Sequence, residues 1–265
     1  MKGKTLSIHS SRGGTGKTVI ATNLAVALAN RGSNVALIDM DFRAPSLSVV
    51  FSKQINDSVK YWLNDYLENR CTARQIVIEL HQTGLKGKLF LVLANPAIEA
   101  ITGVIEKSRE WEVSALKKLF ALRAFLFDEM NVDYCVFDTS PGVQYSSVNA
   151  AVASDLSIIV TTLDMLDMDG VKRLLLDLYD SVSKKTVVLL NKVYPETCLW
   201  SESKQKELIR ITETALGHQV IGIIPCYCHV LKAGRVSFLF EDKRFLPFIK
   251  NLDEIVTKLE AVVIS

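Results

Sequence analysis

The sequence predicts an α/β fold in which helices flank one doubly wound, mostly parallel β-sheet. Three observations indicate this: short apolar runs alternate with helical patterns, the first run leads through glycines into a helix, and polar motifs follow several of the later runs. The 265 residues, 49% of them hydrophobic, are enough for one large domain, and we expect that domain to span residues 1–265.

The composition limits which binding partners and which cellular compartment we expect for this protein. The 31 basic and 29 acidic residues nearly balance, so nothing indicates a strong nucleic-acid or acidic-membrane partner. The longest apolar runs, such as residues 156–163, are too short to cross a membrane. Five cysteines, an odd number, and the lack of a recognisable signal peptide lead us to expect a reduced, cytoplasmic protein.

A glycine-rich stretch follows the first predicted strand, residues 6–9, and precedes a predicted helix over residues 19–28. Glycines let successive N–H groups face an anion, and the helix N-terminus adds its dipole. This context predicts a phosphate-binding loop made by Gly13, Gly14, Thr15, Gly16, Lys17 and Thr18. Lys17 would reach the β/γ-phosphates and Thr18 would ligate Mg²⁺. Ser11 stands where the general pattern has its first glycine.

Two acids mark the end of the second predicted strand, residues 34–39. Asp39 and Asp41 lie two residues apart at the carboxyl end of that strand, which is the edge where α/β sheets bind ligands. Carboxylates beside a phosphate loop predict metal handling and the positioning of water. The alternative for Asp41 is a structural role, as part of a turn that leads into a helix.

The next stretch carries fewer polar signals. Apolar spacing predicts helical structure over residues 57–80, with Thr72 capping a second short helix that extends to Leu80. Residues 88–94 are predicted to form a strand, and residues 111–130 a long amphipathic helix.

A third acid ends a buried strand that we predict over residues 133–138. This strand delivers Asp138 to the ligand edge of the sheet, and Pro141 and Gly142 then turn the chain. In nucleotide hydrolases a carboxylate at this place holds Mg²⁺, usually through water. The alternative is an aspartate that caps the turn.

The last third continues the alternation. We expect strands over 156–162, 186–190 and 219–224, and helices over 169–181, 202–216 and 245–262. Asn191 follows a strand and could hydrogen-bond a purine, although it could also be a plain turn residue. Position 194 is tyrosine, so the guanine-reading pattern Asn-Lys-x-Asp is incomplete, which weighs against GTP. Cys226, Cys228 and His229 suggest a metal site, but their spacing suits one tetrahedral ion poorly.

With these motifs in hand, the chain resembles the MinD/ParA/Mrp family of P-loop ATPases, a SIMIBI-class family with a deviant Walker A motif. The resemblance covers nearly the whole chain and rests on residues 12–18, 38–41, 137–142, 190–192 and 224–225. It implies a sheet flanked by helices, binding of ATP and Mg²⁺, slow hydrolysis, and an ATP-dependent face-to-face homodimer.

The resemblance also implies roles for individual residues. Asp41 would orient the attacking water, and Asp39 and Asp138 would support the metal. Asn191 would contact adenine, helped by the backbone around Pro225. Arg12 stands where the family has a signature lysine that contacts phosphate across the dimer, and it keeps the positive charge while adding a fork suited to phosphate.

The leading hypothesis is a cytoplasmic ATPase that cycles between monomer and ATP dimer and controls an unidentified protein partner in cell-division or chromosome positioning. One alternative is an ATPase that assists metal-centre maturation, such as hydrogenase nickel insertion, and another is a nucleotide-gated binding module with vestigial hydrolysis. A bacterial-type tyrosine kinase is a further alternative, because residues 38–47 resemble its second motif. The chain lacks the C-terminal tyrosine cluster of those kinases.

Overall fold

The computed structural model describes residues 3–55, 59–81, 84–194, 201–227, 229–230 and 243–264. Its strands run almost entirely parallel in one sheet, as predicted. Each begins within a few residues of an apolar run in the sequence. The strands are β1 (Lys4–His9), β2 (Val35–Met40), β3 (Ile78–Leu80), β4 (Leu89–Val92), β5 (Tyr134–Thr139), β6 (Leu156–Thr161), β7 (Thr186–Val193) and β8 (Val220–Pro225).

Helices connect the strands. Four are short, α2 (Leu47–Val50), α3 (Ser52–Ile55), α4 (Leu63–Leu67) and α5 (Ile98–Ile105), and there are 3₁₀ turns over Ala73–Ile76 and Lys243–Phe245. The longer ones are α1 (Lys17–Asn30), α6 (Arg109–Asp128), α7 (Tyr145–Ala153), α8 (Met165–Leu174), α9 (Glu202–Leu216) and α10 (Leu246–Ile264). A π-helical turn, Leu175–Tyr179, continues α8.

The sheet has the order β3-β4-β2-β5-β1-β6-β7-β8, and only the β3–β4 pair is antiparallel. Parallel strands of this kind are covered on both faces, which explains why all six residues of β2 are buried. Alternate residues of each strand face opposite sides: Leu6 and Ile8 pack with α1 and α10, whereas Cys135 and Phe137 pack with α6. The predicted doubly wound fold is therefore confirmed.

The topology decides where the polar motifs lie. β5 lies between β1 and β2, and Asp39 is directly opposite Asp138 in the β2–β5 register. Because these strands are parallel, the loops that follow them leave the sheet at one edge. The phosphate loop and the two acidic loops are therefore neighbours in space, although they are far apart in sequence.

The helical prediction for residues 57–80 holds only for Leu63–Leu67 and a short 3₁₀ turn, and it is wrong at its C-terminal end. Thr72 does begin a turn, with its N–H donating to the Gln75 side chain, but that turn is 3₁₀ and ends at Ile76. Ile78–Leu80 is an edge strand, because it pairs with β4. Strand pairing outweighs local helical spacing here. Positions 57 and 58 lie outside the described residues.

Several other boundaries differ from the prediction, and two of them affect the candidate site. β7 continues through Val193, so Asn191 and Lys192 belong to the strand, and the register with β8 is irregular there. α8 begins at Met165, earlier than predicted, because the Asp164 carboxylate accepts hydrogen bonds from the Leu166 and Asp167 N–H groups.

Candidate functional site

The loop between β1 and α1 forms an open cradle. Gly14 and Gly16 have φ of +85° and +98°, a backbone region that side chains rarely adopt. Nothing lies within 4 Å of where a Cβ of Gly13 or Gly14 would be, so these residues leave room for a ligand. A Cβ on Gly16 would lie 2.5 Å from the Asn191 amide nitrogen, so only glycine fits there.

Lys17 is held in place before any ligand binds. Its Nζ donates to the Ser10 hydroxyl at 2.9 Å, and that hydroxyl donates to the Arg12 carbonyl oxygen at 2.6 Å. Burial lowers the pKa of the Lys17 ammonium, while the carboxylates of Asp138 and Asp41 act in the opposite direction. The lysine is therefore a nearly buried positive charge close to the loop.

The carboxylate of Asp39 organises the loop after β2. One of its oxygens accepts from the Asp41 N–H at 3.0 Å, and the other accepts from the N–H groups of Ser46 and Leu47, each at 3.2 Å. Burial raises the pKa of Asp39 well above its ordinary value, and the nearby Asp138 raises it further. Asp39 can therefore hold the loop after β2 in place from beneath the candidate site.

Asp41 joins the two acidic loops. Its Oδ1 accepts from the Ser140 hydroxyl at 2.9 Å, and from the backbone N–H groups of Ala44 and Arg43 at 3.1 and 3.3 Å. Ser140 comes directly after β5, so this bond connects the loop after β2 with the loop after β5. Asp41 itself lines the larger cavity described below, where a carboxylate can hold a water molecule.

Asp138 provides the test of whether the site fits a cation. It is almost wholly buried, and neither of its oxygens makes a well-formed hydrogen bond to the described residues. Burial raises the pKa of Asp138 to about 7, opposed by the Thr18 hydroxyl, which is close enough to act on it, and by Lys17. An orphaned, buried carboxylate beside a hydroxyl is a donor set that Mg²⁺ prefers, so the residues fit the metal.

Two cavities meet at Gly16 and Val19. The larger, of about 610 Å³, is bounded by the loop glycines, Lys17 and Thr18 on one side and by Asp41, Ser140 and Gln144 on the other. The smaller, of about 140 Å³, is lined by Asn191, Pro225 and Tyr227. A larger compartment with charged groups, joined to a narrower one, is an arrangement that can accommodate the phosphates and the base of a nucleotide.

Asn191 and Lys192 support the loop from β7. The Asn191 amide donates to the Thr15 carbonyl oxygen at 2.7 Å, and Lys192 Nζ donates to the Gly14 carbonyl oxygen at 2.6 Å. Lys192 reaches the loop from a left-handed backbone position, φ +55°, at the irregular part of the β7–β8 register. Asn191 thus lines the smaller cavity and buttresses the phosphate loop as well.

Arg12 points toward α8. Its guanidinium lies 3.6 Å from Asp167 and 3.9 Å from Asp164, and half of the side chain is exposed. Asp167 is fixed in turn by the Thr162 hydroxyl, which donates to it at 2.6 Å. The structure therefore brings the other predicted residues to the site or beneath it, while the Arg12 side chain is held beside the site by two acids.

Sequence reasoning missed Ser10, Ser140 and the acid pair that holds Arg12. Ser140 had a usable signal, because it follows Asp138 by two residues at a ligand-facing strand end. Asp164 and Asp167 had none, because they reach Arg12 only through the position of α8.

The cysteine-rich stretch gives no support to a metal site. Cys226 borders the smaller cavity, whereas Cys228 and Cys198 lie outside the described residues. Within the described ranges, no three side chains of His, Cys, Asp or Glu are grouped so that they could hold a metal ion. In that same part of the chain, no helix is both long and apolar enough to span a bilayer.

Comparison with known proteins agrees with this geometry. A family model described as an AAA domain, AAA_31, matches residues 3–191. The septum site-determining protein MinD of Bacillus subtilis is 32% identical over 164 residues, which are 60% of this chain and 53% of that protein. The chain thus matches about half the length of this relative.

Two solved structures share the fold. MinD of Pyrococcus horikoshii, complexed with Mg-ADP, has a TM-score of 0.72 at 18% identity, covering 97% of this chain and 96% of that one. A putative plasmid partition protein of Borrelia burgdorferi, bound to AMPPNP, has a TM-score of 0.74 at 20% identity, covering 98% and 99%. Together with the family model, these matches show that the chain belongs to the MinD/ParA family of P-loop ATPases.

Proposed function

We propose that this protein is an ATP-binding and ATP-hydrolysing molecular switch whose single ATPase domain spans residues 1–265. The observation that carries the proposal is the larger cavity, which has the phosphate loop on one side and Asp41 with Ser140 on the other. Such a cavity can bind the phosphates and hold a water molecule next to them. The Mg-ADP and AMPPNP complexes of the structural neighbours support the same ligand class.

The chain's own residues divide the work. The N–H groups of Gly13 to Thr18 bind the phosphate oxygens, and the Lys17 ammonium compensates their charge. Thr18 would ligate Mg²⁺, with Asp39 and Asp138 supporting it, and the bound ion would neutralise charge on the phosphates. Asp41 orients the attacking water. Adenine enters the smaller cavity beside Asn191 and Pro225.

In this proposal ATP also controls association. Two copies meet through the faces that carry the phosphate loops, and Arg12 leaves Asp164 and Asp167 to contact the phosphates of the partner copy. The ion pairs of Arg12 are long and half exposed, so exchanging them for a phosphate costs little. The dimer then presents a surface to a protein partner in cell-division or chromosome positioning. One relative is named for determining the septum site, and one structural neighbour for plasmid partition.

The same position of Arg12 favours a second candidate, a nucleotide-gated binding module with vestigial hydrolysis. If Arg12 stays paired with the acids of α8 when ATP is present, the site still binds ATP. The phosphates then lack the positive charge of the Arg12 guanidinium. Turnover measurements separate the two candidates, because the module would bind ATP without releasing phosphate.

Light scattering with ADP–Mg²⁺ and then with a non-hydrolysable ATP analogue tests the switch. We expect a mass near the chain's 29.5 kDa with ADP and twice that value with the analogue. Phosphate release is measured on the same sample. A mass indifferent to nucleotide, together with no phosphate release, would contradict the proposal.

A further inference from the structure

His9, the last residue of β1, is wholly buried directly before the phosphate loop. Its Nε2 lies 2.9 Å from the Gly142 carbonyl oxygen, in the turn after β5, and its Nδ1 lies 2.7 Å from the Tyr179 hydroxyl. The next residue binds the same turn, because the Gly142 N–H donates to the Ser10 carbonyl oxygen at 2.8 Å. The carbonyl oxygen and the N–H of Gly142 are thus both hydrogen-bonded to residues at or directly after the end of β1.

The direction of each hydrogen bond follows from the chemistry of the partners. Burial lowers the pKa of the His9 imidazole to about 4, assisted by the charge of Lys17, so the ring is neutral near pH 7 and carries one N–H. A carbonyl oxygen only accepts, so that N–H is on Nε2 and donates to Gly142. Nδ1 then has a free lone pair, and the Tyr179 hydroxyl donates to it. The Gly142 carbonyl therefore selects the tautomer, and the Tyr179 hydroxyl satisfies the ring nitrogen that remains.

The turn that His9 holds forms one wall of the nucleotide cavity. Ser140, Pro141 and Gln144 line that cavity, and the Ser140 hydroxyl donates to Asp41. Gly142 is at φ +70°, a conformation that its two hydrogen bonds help to maintain. A displacement of Gly142 would move Ser140, and with it the carboxylate that orients water.

Tyr179 reaches His9 from the π-helical turn after α8. π-Turns are rare and costly, and they are retained where an inserted residue redirects side chains. The Tyr179 ring is wholly buried with its centroid 5.9 Å from that of His9. The N-terminal end of the same helix carries the acids that bind Arg12. One helical segment thus contacts the phosphate-loop region at both ends.

We propose that His9 is a positioning residue for nucleotide turnover, which holds the Gly142 turn through Nε2–H while the Tyr179 hydroxyl donates to Nδ1 and keeps the ring in place. This inference rests on the proposed ATPase function for its kinetic consequence. The opposing interpretation is a buried histidine that serves stability alone. That role would change the unfolding free energy without selectively changing turnover.

Two amide replacements separate these roles. A glutamine amide nitrogen can occupy the place of Nε2 and donate to Gly142, whereas an asparagine is one carbon shorter and reaches only the place of Nδ1. We expect His9→Gln to keep kcat within about twofold of wild type and His9→Asn to lower it about tenfold or more, with the nucleotide Kd within about threefold in both. Equal kcat values for the two variants would overturn the proposal.

Tyr179→Phe is the second variant, and it serves if His9→Asn does not fold. It removes one hydroxyl and keeps the ring, so the fold has the least reason to change. We expect a severalfold lower kcat with an unchanged nucleotide Kd, and a shift of the His9 Nδ1 signal in ¹⁵N NMR, because that nitrogen loses its donor while Nε2 keeps its proton. An unchanged kcat and an unchanged Nδ1 signal would contradict the role given to Tyr179.

Imidazole ¹⁵N NMR gives a readout that needs no turnover. The chain has four histidines, so the signals that vanish in His9→Gln assign His9. We expect the Nε2–H tautomer in the wild type, and a change in those signals when a non-hydrolysable ATP analogue binds. An Nδ1–H tautomer would refute the inference even if ATP is hydrolysed. Absence of hydrolysis with the expected tautomer and shift would refute the proposed function alone.

Discussion

Three charged side chains of the site, Lys17, Asp39 and Asp138, are almost wholly buried. Burial lowers the pKa of the lysine and raises the pKa of both acids, because it disfavours the charged form of each group. Phosphate and a divalent cation would supply charges opposite to these groups. The buried charges therefore favour a ligand that carries both.

Asp41 is the residue whose role is most directly testable. We expect Asp41→Ala to lower ATP turnover on the order of 100-fold, because water is no longer oriented, while nucleotide affinity changes little. Phosphate release and fluorescent-nucleotide binding measure the two effects. The matched control is Glu207→Ala, which removes an exposed carboxylate from α9. If Asp41→Ala turns over ATP like this control, Asp41 does not orient water.

The buried imidazole of His9 also predicts a pH dependence of stability. Its pKa in the folded chain is about 4, against 6.5 for an unperturbed histidine, so below pH 6.5 the unfolded chain takes up a proton that the folded chain refuses. Stability is therefore lost as the pH falls from 6.5 toward 4. The groups facing the ring, the Tyr179 hydroxyl and the Lys17 ammonium, stay in one protonation state over this range.

The expected size of this effect is about 2 kcal/mol between pH 7 and pH 5. Urea unfolding of the wild type and His9→Gln at both pH values measures it, because the two proteins share their other titrating groups. We expect the stability of His9→Gln to fall by about 2 kcal/mol less than that of the wild type. Parallel losses in the two proteins would show that His9 is not neutral and buried in solution.

At the scale of elements, contacts between distant parts of the chain determine three features of the secondary structure that the local sequence pattern does not reveal. β3 is a strand because β4 offers it an edge, and β7 extends to Val193 because β8 pairs with its end. The π-turn at Leu175–Tyr179 brings Tyr179 to His9. Two of these three elements place a side chain at the site, so the irregularities are tied to the candidate function.

The attachment of α10 to α1 gives an element-scale prediction. Arg31, directly after α1, donates to the Asp253 carboxylate, the Thr257 hydroxyl and the Glu260 carboxylate of α10 at 2.7–2.9 Å. We expect Arg31→Ala to lower the free energy of unfolding by about 1–2 kcal/mol, because two carboxylates lose a partner that is only a quarter exposed.

Urea unfolding checks this value. The control is Arg173→Ala, which breaks an exposed pair with Asp169 on α8 and should cost about 0.5 kcal/mol or less. An Arg31→Ala loss no larger than that of the control would mean that packing alone holds α10.

At the scale of the whole molecule, the parallel sheet brings three distant loops to one edge and leaves Arg12 beside their opening. Its guanidinium is half exposed and is paired with two acids of the same chain. The proposed contact with the phosphates of a second copy would use this exposed and loosely paired cation. The geometry thus supports association that depends on the nucleotide.

We expect Arg12→Ala to leave nucleotide binding by the monomer within about threefold, while the dimer formed with the ATP analogue weakens about tenfold or more. Light scattering across a concentration series measures the association. Arg210→Ala, on exposed α9, removes one positive charge elsewhere and controls for net charge. Unchanged association and unchanged turnover in Arg12→Ala would exclude a role across the interface.

The fold class and most of the site were readable from local patterns. Buried parallel strands are continuous apolar runs, and the phosphate loop needs glycines and a lysine within a few residues. Asp39, Asp41 and Asp138 each lie at or directly after the carboxyl end of a strand. These signals are local because each lies within a single strand–loop unit. A short window of sequence therefore contains all the residues that produce each of these features.

The contacts between units had no such signal. Ser140 with Asp41, Arg12 with Asp164 and Asp167, and His9 between Gly142 and Tyr179 join residues that lie 99 to 170 positions apart. Which side chain meets which depends on strand order, on where α8 begins, and on a π-turn. Only the folded chain fixes these three things, because each follows from packing between elements that are far apart in sequence.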